Sequence, residues 1–522
     1  MSKALRTVLL GGDGLRLDEW RRTGRLTVIK ESQHRGIYRV CLPDLDLHIK
    51  QYRRVGLRGW LRELIRPNKA RREARLAQAI RARGIRTPEP LGWADGGIIT
   101  RTEHGDSLLN FIESRANEPP LIHRFATALG RFLASLHAAG VVHHDPHPGN
   151  LIVDCRGDET QLALLDLHAV RLGPPCSWVE RRENLILFNR FFMLRASRAE
   201  RLRFWRAYCD ASGSVIGLPA DQAGREVERR TLESNLQFWT ARDRRCLVSN
   251  RYYRRVSNGG VRGFVVRDLD SSLVAELLRD PDQPFRDAPA KIKDSRSSTV
   301  IEFPAAKAIF KRFRVTNARD PWLALFRRTP VIRSWIMGQG LRERCLPTAR
   351  PLAVLHRYRN GLPREGYLLT EKIENAIELR AWADRMLTRP AEERRLELRD
   401  RIPALARLIR QLHERGLAHR DLKAANILTS ERAGDPRFWF IDLVGVRRMS
   451  INAKRRAQNL ARLLASFAEH PLVSRTDRLR FLRSYQAWAL RGKAGWKKLW
   501  RRIESAWRTK IERNRRTGRP IA

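Results

Sequence analysis

A chain of 522 residues with 103 Lys and Arg against 56 Asp and Glu carries a formal net charge of +47 and is 42% hydrophobic. That length supports more than one core, and no apolar run approaches the roughly 18 residues of a membrane span; Leu185 to Phe188, the richest stretch, is broken by Asn189 and Arg190. The six cysteines show no C-x-x-C spacing, which argues against a zinc ribbon or a disulfide framework and fits free thiols in a reducing cytoplasm. Lys3 and Arg6 precede only a short apolar run, which does not read as a signal peptide. The charge favours polyanions such as nucleic acid, anionic lipid headgroups or phosphorylated glycans. Nucleic acid is the weakest of these, because no basic motif interleaved with aromatics and no zinc-finger spacing is present.

In chain order, Thr27–Ser32, Gly36–Val40 and Leu47–Tyr52 alternate as three short strands of an antiparallel sheet. A basic helix over Lys69–Arg83 stops at a turn with Gly84, Pro88 and Pro90, and a strand is predicted over Ile98–Glu103. An amphipathic helix over Phe125–Ala139 ends in Leu136-His137 and leads into His143-His144-Asp145-Pro146-His147-Pro148-Gly149-Asn150. Leu165-Asp166-Leu167 follows, then a helix over Glu180–Leu194 and the tetrapeptide Arg201-Leu202-Arg203-Phe204. A later helix carries Leu232, Leu236 and Trp239.

The second half repeats this order. Strands are predicted at Lys291–Ser295, Ser298–Glu302 and Ala308–Phe313, a helix over Val331–Arg344 and a strand over Tyr367–Lys372. A helix over Ile402–Arg415 carries Leu412-His413 and leads into His419-Arg420-Asp421-Leu422-Lys423-Ala424-Ala425-Asn426. Ile441-Asp442-Leu443, a helix over Lys454–Phe467 and Arg478-Leu479-Arg480-Phe481 complete the copy. Asp145 to Asp166 and Asp421 to Asp442 are equally spaced. The predicted organisation is a first domain over 1–246, a junction over 247–290 with turns at Asn258-Gly259-Gly260 and Asp280–Pro284 in which Val261 to Leu278 caps the second domain, and a second domain over 291–522. The basic C-terminal stretch Lys493 to Arg519 places Trp496, Leu499, Trp500, Ile503 and Trp507 on one helical face. That pattern suits either an anionic membrane surface or the closing helix of a lower lobe.

The loops resemble the H-R-D-L-K-x-x-N catalytic loop of protein kinases, and the later aspartates stand where kinases hold magnesium. Phosphoryl transfer asks for an acceptor hydroxyl in line, a metal on the phosphates and positive charge facing them. Mg²⁺ takes hard oxygen ligands and shares them with phosphate, so one Asp and one Asn suffice. Together the tandem H-x-D-x-x-x-x-N loops, the short Asp-Leu segments, the weak Gly loops and the Arg-rich helices resemble the lipopolysaccharide kinase (Kdo/WaaP) family over nearly the whole chain. The first loop is also similar to the H-x-D-x-H-P-x-N loop of aminoglycoside- and choline-kinase relatives.

The resemblance implies an α+β fold of two consecutive protein-kinase-like domains, each a small antiparallel N-lobe sheet with a helical C-lobe. It implies an ATP- and Mg²⁺-dependent phosphotransferase acting on a hydroxyl of a sugar or anionic glycolipid, most simply the lipopolysaccharide core. Asp145 and Asp421 would be catalytic; Lys50, Lys311, Glu73 and Lys423 would bind or orient ATP phosphate; Asn150, Asp166, Asn426 and Asp442 would hold the metal. Its setting would be cytoplasmic, with the basic surface making peripheral contact at the inner membrane; the sequence leaves the oligomeric state open. Three departures stand out. No G-x-G-x-x-G is present, and Ser32 and Ser295 occupy the nucleotide-facing turns; His144 replaces the usual Arg; Ser334 stands where the front-helix glutamate is expected. An enzyme paired with a pseudoenzyme, with either half silent, or a scaffold is therefore an alternative. A protein kinase is disfavoured, because neither copy has room for an activation segment ending in Ala-Pro-Glu. His143, His144 and His147 also raise a transition-metal site, against which the first histidine is expected to hold the loop backbone.

Overall fold

The computed structural model describes residues 3–11, 14–33, 35–53, 68–115, 118–156, 159–317, 319–486 and 493–518. The chain divides into two compact units, Met1–Asn235 and Leu236–Ala522, with the division inside the long helix Ala220–Arg242. Each unit has a small antiparallel sheet followed by a helical lobe, the α+β architecture expected of a kinase-like unit.

The first unit's sheet runs Leu26–Glu31, Arg35–Leu42, Leu45–Tyr52, Gly97–Arg101, Pro90–Ala94, all antiparallel. Strand alternation decides what each face presents. Val40, Leu47, Ile49 and Ile99 turn to one side and bury with Leu9 and Trp20. Lys50, opposite Ile37 and Ile98, turns to the other. The front helix Lys69–Ala82 is started by Asn68, whose side chain accepts from the N–H groups of Ala70 and Arg71. Its buried stripe is Ala70, Glu73, Ala74, Ala77 and Ile80. Alanine on either side of Glu73 lets the helix lie close to the sheet and carries the carboxylate to the lysine face. Below, helices Pro119–Ala138, Trp178–Arg195 and Arg198–Ser212 enclose Leu129, Leu133, Leu136, Phe188 and Tyr208. The latter two begin with capping boxes, Ser177 with Glu180 and Ser197 with Glu200.

The second unit's sheet has seven strands, in the order Tyr253–Asn258, Val261–Val266, Pro351–Arg359, Leu362–Glu371, Ala308–Phe313, Ser298–Phe303, Lys293–Asp294. The 247–290 stretch thus supplies two strands of the sheet and a helix, Ser271–Arg279, that buries Val274, Leu277 and Leu278. Gly263 permits this: a Cβ there would fall 1.9 Å from the Val354 carbonyl oxygen of the neighbouring strand. The front helix is Pro330–Glu343, started by Thr329. The helix before the loop spans Ala391–Glu414 and runs through Pro403, starting well before the Ile402 expected from sequence.

The C-terminal helix Lys493–Arg516 turns Leu499 and Ile503 into the lower-lobe core, with Trp496, Trp500 and Trp507 packed against it. The aromatic stripe that suited a membrane is therefore used in packing, while Lys497, Lys498, Arg501 and Arg502 stay exposed. Arg519 lies outside the described residues. Among those residues no helix is long and apolar enough to cross a membrane.

Candidate active site

Both loops are held by the same frame of buried side chains. Strand Val141–His143 pairs with Val170–Leu172, and Leu417–His419 pairs with Val446–Arg448. The ring of His143 contacts the Leu165 carbonyl at 3.3 Å and accepts the Asp145 N–H at 3.1 Å. His419 does the same with Ile441 and Asp421, at 3.4 and 3.2 Å. Both nitrogens of His143 are thus engaged by backbone, which removes it from any metal set, and the His147 ring accepts the Gly149 N–H. Beneath, His137 lies between Tyr208 (2.8 Å) and Asn184 (3.1 Å), whose amide donates to the His143 carbonyl. His413 lies between Tyr485 (2.7 Å) and Asn459 (3.3 Å), whose side chain accepts the His419 N–H. Burial pulls His137 and His413 down to about 4, so both are neutral hydrogen-bonding struts at pH 7.

The strands that carry the later aspartates are fixed from the upper lobe. Thr87 donates to the Leu164 carbonyl and Thr348 to the Phe440 carbonyl, each from a proline-rich turn. Asp166 and Asp442 both adopt left-handed backbone, with φ of 56° and 52°. Such a conformation is uncommon outside glycine, although Asp tolerates it better than most, and it turns each carboxylate toward its strand lysine.

In the first unit Lys50 Nζ meets Glu73 at 2.8 and 3.1 Å and Asp166 at 2.5 Å. Tyr52 donates to the same Glu73 carboxylate. His168 Nδ1 is 2.6 Å from Asp166, and Arg35 approaches it at 3.6 Å. Burial alone would raise the Asp166 carboxyl, but the Lys50 charge and hydrogen bond, with His168, bring it down to about 2. Asn150 donates to the Asp145 carbonyl at 2.9 Å, closing the loop on itself, and the Asp145 side chain stays exposed. A cavity of 330 Å³ opens here between the lobes, lined among others by Lys50, Glu73, Ile98, Thr100, Asn150 and Asp166. Lys50, Glu73, Asn150 and Asp166 thus converge on one cleft.

In the second unit Lys311 pairs with Asp442 at 2.9 Å. Burial opposes ionisation of Asp442, but Lys311, with Lys293 and His419, carries it below the usual carboxylate range. The helix carboxylate is missing: Ser334 donates to the Pro330 carbonyl of its own helix, and Glu343 pairs with Arg242. Asn426 donates to Asp421, to the carbonyl at 2.8 Å and the carboxylate at 3.1 Å. Lys423 reaches the loop aspartate Asp421 at 3.6 Å. The turns that replace a Gly-rich loop match between units: the Ser32 and Ser295 hydroxyls each donate 3.0 Å to the carbonyl three residues on, Arg35 and Ser298.

Sequence reasoning missed Arg35, Tyr52 and His168 around the first lysine, and the Asn–His–Tyr frame under both loops. The frame left a signal. Tyr208 and Tyr485 lie four residues beyond Phe204 and Phe481, in the matched Arg-Leu-Arg-Phe segments.

The fold and the clefts define two kinase-like units in tandem. The lipopolysaccharide kinase (Kdo/WaaP) family model matches residues 18–208 and 307–485, and the chain belongs to that family. Relatives named 3-deoxy-D-manno-octulosonic acid kinase are 36% identical over 130 residues in Haemophilus influenzae (strain 86-028NP) and 38% identical over 144 residues in Stenotrophomonas maltophilia (strain R551-3). Those matches cover 25% and 27% of this chain and 50% of each relative, so the chain spans about half the length of the curated relatives it matches. A solved structure titled WaaP in complex with acyl carrier protein is similar at 22% identity and a TM-score of 0.33, over 46% of this chain and 98% of that one.

Proposed function

We propose that the chain is an ATP-dependent kinase that phosphorylates a hydroxyl of a sugar or anionic glycolipid of the lipopolysaccharide-core type, and that the first unit performs the transfer. The observation that carries this is Lys50, held between Glu73 and Asp166 in an open cleft between the lobes. In that reading Lys50 faces ATP phosphate, Glu73 keeps the lysine from collapsing wholly onto Asp166, and Asp145 orients the acceptor hydroxyl and takes its proton. The donor set suits Mg²⁺: Asp166 is ionised, and Asn150, whose amide nitrogen donates to the loop, presents its Oδ1. Magnesium would supply charge neutralisation on the phosphates. Asn426 and Asp442 are the matching donors in the second unit, with Asp421 the matching base and Lys423 beside it. That unit lacks the helix carboxylate and serves as an accessory half.

The helices after each cleft begin at Trp178 and Ala453, close behind Asp166 and Asp442, which supports a small or glycolipid acceptor over a peptide. The setting proposed is cytoplasmic, with the net charge of +47 drawing the protein to anionic surfaces at the inner membrane. The test is transfer of label from γ-labelled ATP with Mg²⁺ into a core glycolipid extract. Labelling of the glycolipid, abolished when Asp145→Ala and Asp421→Ala are combined, is expected. Undiminished labelling by the double variant would overturn the assignment.

A further inference from the structure

The aromatic stripe of the C-terminal helix is used in packing, but another apolar surface of the second unit stays open. It lies between the strand that carries Lys311 and the front helix Pro330–Glu343. Trp322, Leu323, Leu325 and Phe326 follow one another closely there and are all exposed, Trp322 by 61% and Phe326 by 87%. Single exposed apolar side chains are ordinary; a run of large ones marks a contact surface. The segment is tied down at its start. The Asp320 carboxylate accepts from the Asn317 N–H at 3.0 Å and the Thr316 hydroxyl at 3.3 Å. Pro321 is buried, and the turn Asp320–Leu323 packs on the strand Leu362–Glu371. The N–H groups of Leu323, Ala324, Leu325 and Phe326 donate to the carbonyls of Arg319, Asp320, Trp322 and Leu323, and that of Arg327 to Leu323 as well. These backbone donors are satisfied within the segment, as contact with an apolar layer requires.

Beside this turn a cavity of 370 Å³ is lined by Arg255, Arg262, Arg327 and Arg328, with Phe264 and Tyr358, and by no Asp or Glu among the described residues. Strand alternation explains the first two arginines. Val261 and Val265 turn into the core, so Arg262 and Phe264 turn outward, with Arg255 opposite Phe264. The Arg262 guanidinium lies over the Tyr358 ring, 5.3 Å from its centre. All four arginines are exposed. A guanidinium presents a planar fork of donors that fits phosphate oxygens. An apolar turn flanked by such a groove complements a layer with anionic headgroups over hydrocarbon. The sequence sets Trp60-Leu61 and Leu64-Ile65-Arg66 between the matching strand and helix of the first copy. Those residues lie outside the described ones and are not part of the site.

We propose that this face of the second unit docks on an anionic phospholipid bilayer: Trp322, Leu323, Leu325 and Phe326 enter below the headgroups, and Arg255, Arg262, Arg327 and Arg328 take headgroup phosphates. The inference rests on the membrane setting proposed above and gives it a defined surface in place of diffuse charge. It does not depend on which half transfers phosphate, or on whether either does.

Co-sedimentation of the full chain with vesicles tests it, comparing phosphatidylglycerol mixed into phosphatidylcholine with phosphatidylcholine alone, at fixed ionic strength. Binding to the mixed vesicles is expected, weakened about tenfold or more when Trp322→Ser and Phe326→Ser are combined, and likewise when Arg327→Gln and Arg328→Gln are combined. Lys497→Gln with Lys498→Gln removes the same charge from the exposed side of the C-terminal helix and should change binding by no more than about twofold. Both docking pairs are exposed, so their thermal midpoints should match the parent's; if the apolar pair melts early, the arginine pair still decides. Equal weakening by the C-terminal pair would overturn the docking surface and leave the membrane setting standing. No binding of the parent to mixed vesicles would overturn both. Equal binding to phosphatidylcholine alone would overturn the headgroup contact. Vesicle binding indifferent to the apolar pair, with self-association of the parent lost in that variant on analytical ultracentrifugation, would overturn the proposal and assign the face to a second copy of the chain.

Discussion

The two units hold their loop aspartates with one frame and surround them with different charge. His143 and His419, His137 and His413, Asn184 and Asn459, and Tyr208 and Tyr485 occupy matching places with matching partners. The lysine environment diverges: Lys50 is shared between Glu73 and Asp166, whereas Lys311 meets Asp442 without a front-helix carboxylate. Behind the loop the contrast reverses, with Arg171 neutralised in the first unit and Arg447 left among arginines in the second. The frame is what folding requires of each lobe, since buried polar groups must keep their partners. The charges around the cleft lie outside that frame, so they can differ between two similar lobes.

If that contrast is functional, substitution of the lysines should separate the units most. Lys50→Ala is expected to lower kcat/KM for transfer about a hundred- to a thousandfold, and Lys311→Ala to leave it within about threefold. Comparable losses from both would erase the distinction. The shared frame predicts the opposite symmetry in stability. His137→Ala and His413→Ala should each destabilise their own unit by about 2–4 kcal/mol in urea unfolding, because each leaves a cavity and removes one hydrogen-bond partner from a buried Tyr and from a buried Asn. A loss in one unit alone would show that the frames are not equivalent.

Acid sharpens the comparison further. The Asp166 carboxyl is depressed to about 2 in the folded protein against 3.8 for an ordinary Asp. Its contribution, on the order of 2 kcal/mol, is therefore complete above about pH 5 and lost as pH falls through 4 toward 2. The first unit of Asp166→Asn should accordingly show a flatter decline of stability between pH 5 and 2.5 than the parent; an unchanged slope would contradict the assigned shift. The smallest effect expected is that of Glu73→Gln, which keeps the shape of the helix stripe but removes one charge from Lys50, lowering kcat/KM about tenfold. An unchanged rate would mean that Asp166 alone suffices to place the lysine.

Much of this was legible in the sequence, because repetition supplied what a single copy does not. The loops, the spacing of Asp145 to Asp166 and Asp421 to Asp442, and the pairing of Lys50 with Glu73 could be read from motif and register. The missing partner of Lys311 was likewise visible as Ser334. The parts that were not legible depend on long-range contact. Arg35 and His168 gather at Asp166 from the start of a strand and from a short helical turn whose residues look unremarkable locally. Tyr253–Asn258 and Val261–Val266 enter the second sheet through pairing with Pro351–Arg359, far along the chain. The Trp496–Trp507 stripe has one pattern for a membrane face and a core face, and only its burial of Leu499 and Ile503 distinguishes them.

The most direct test of a division between the units compares two single variants, Asp145→Ala and Asp421→Ala, in transfer of label from γ-labelled ATP to the core glycolipid. The account predicts transfer reduced about a thousandfold by Asp145→Ala and retained within about threefold by Asp421→Ala. Transfer that survives Asp145→Ala and disappears with Asp421→Ala would contradict it and place the reaction in the second unit.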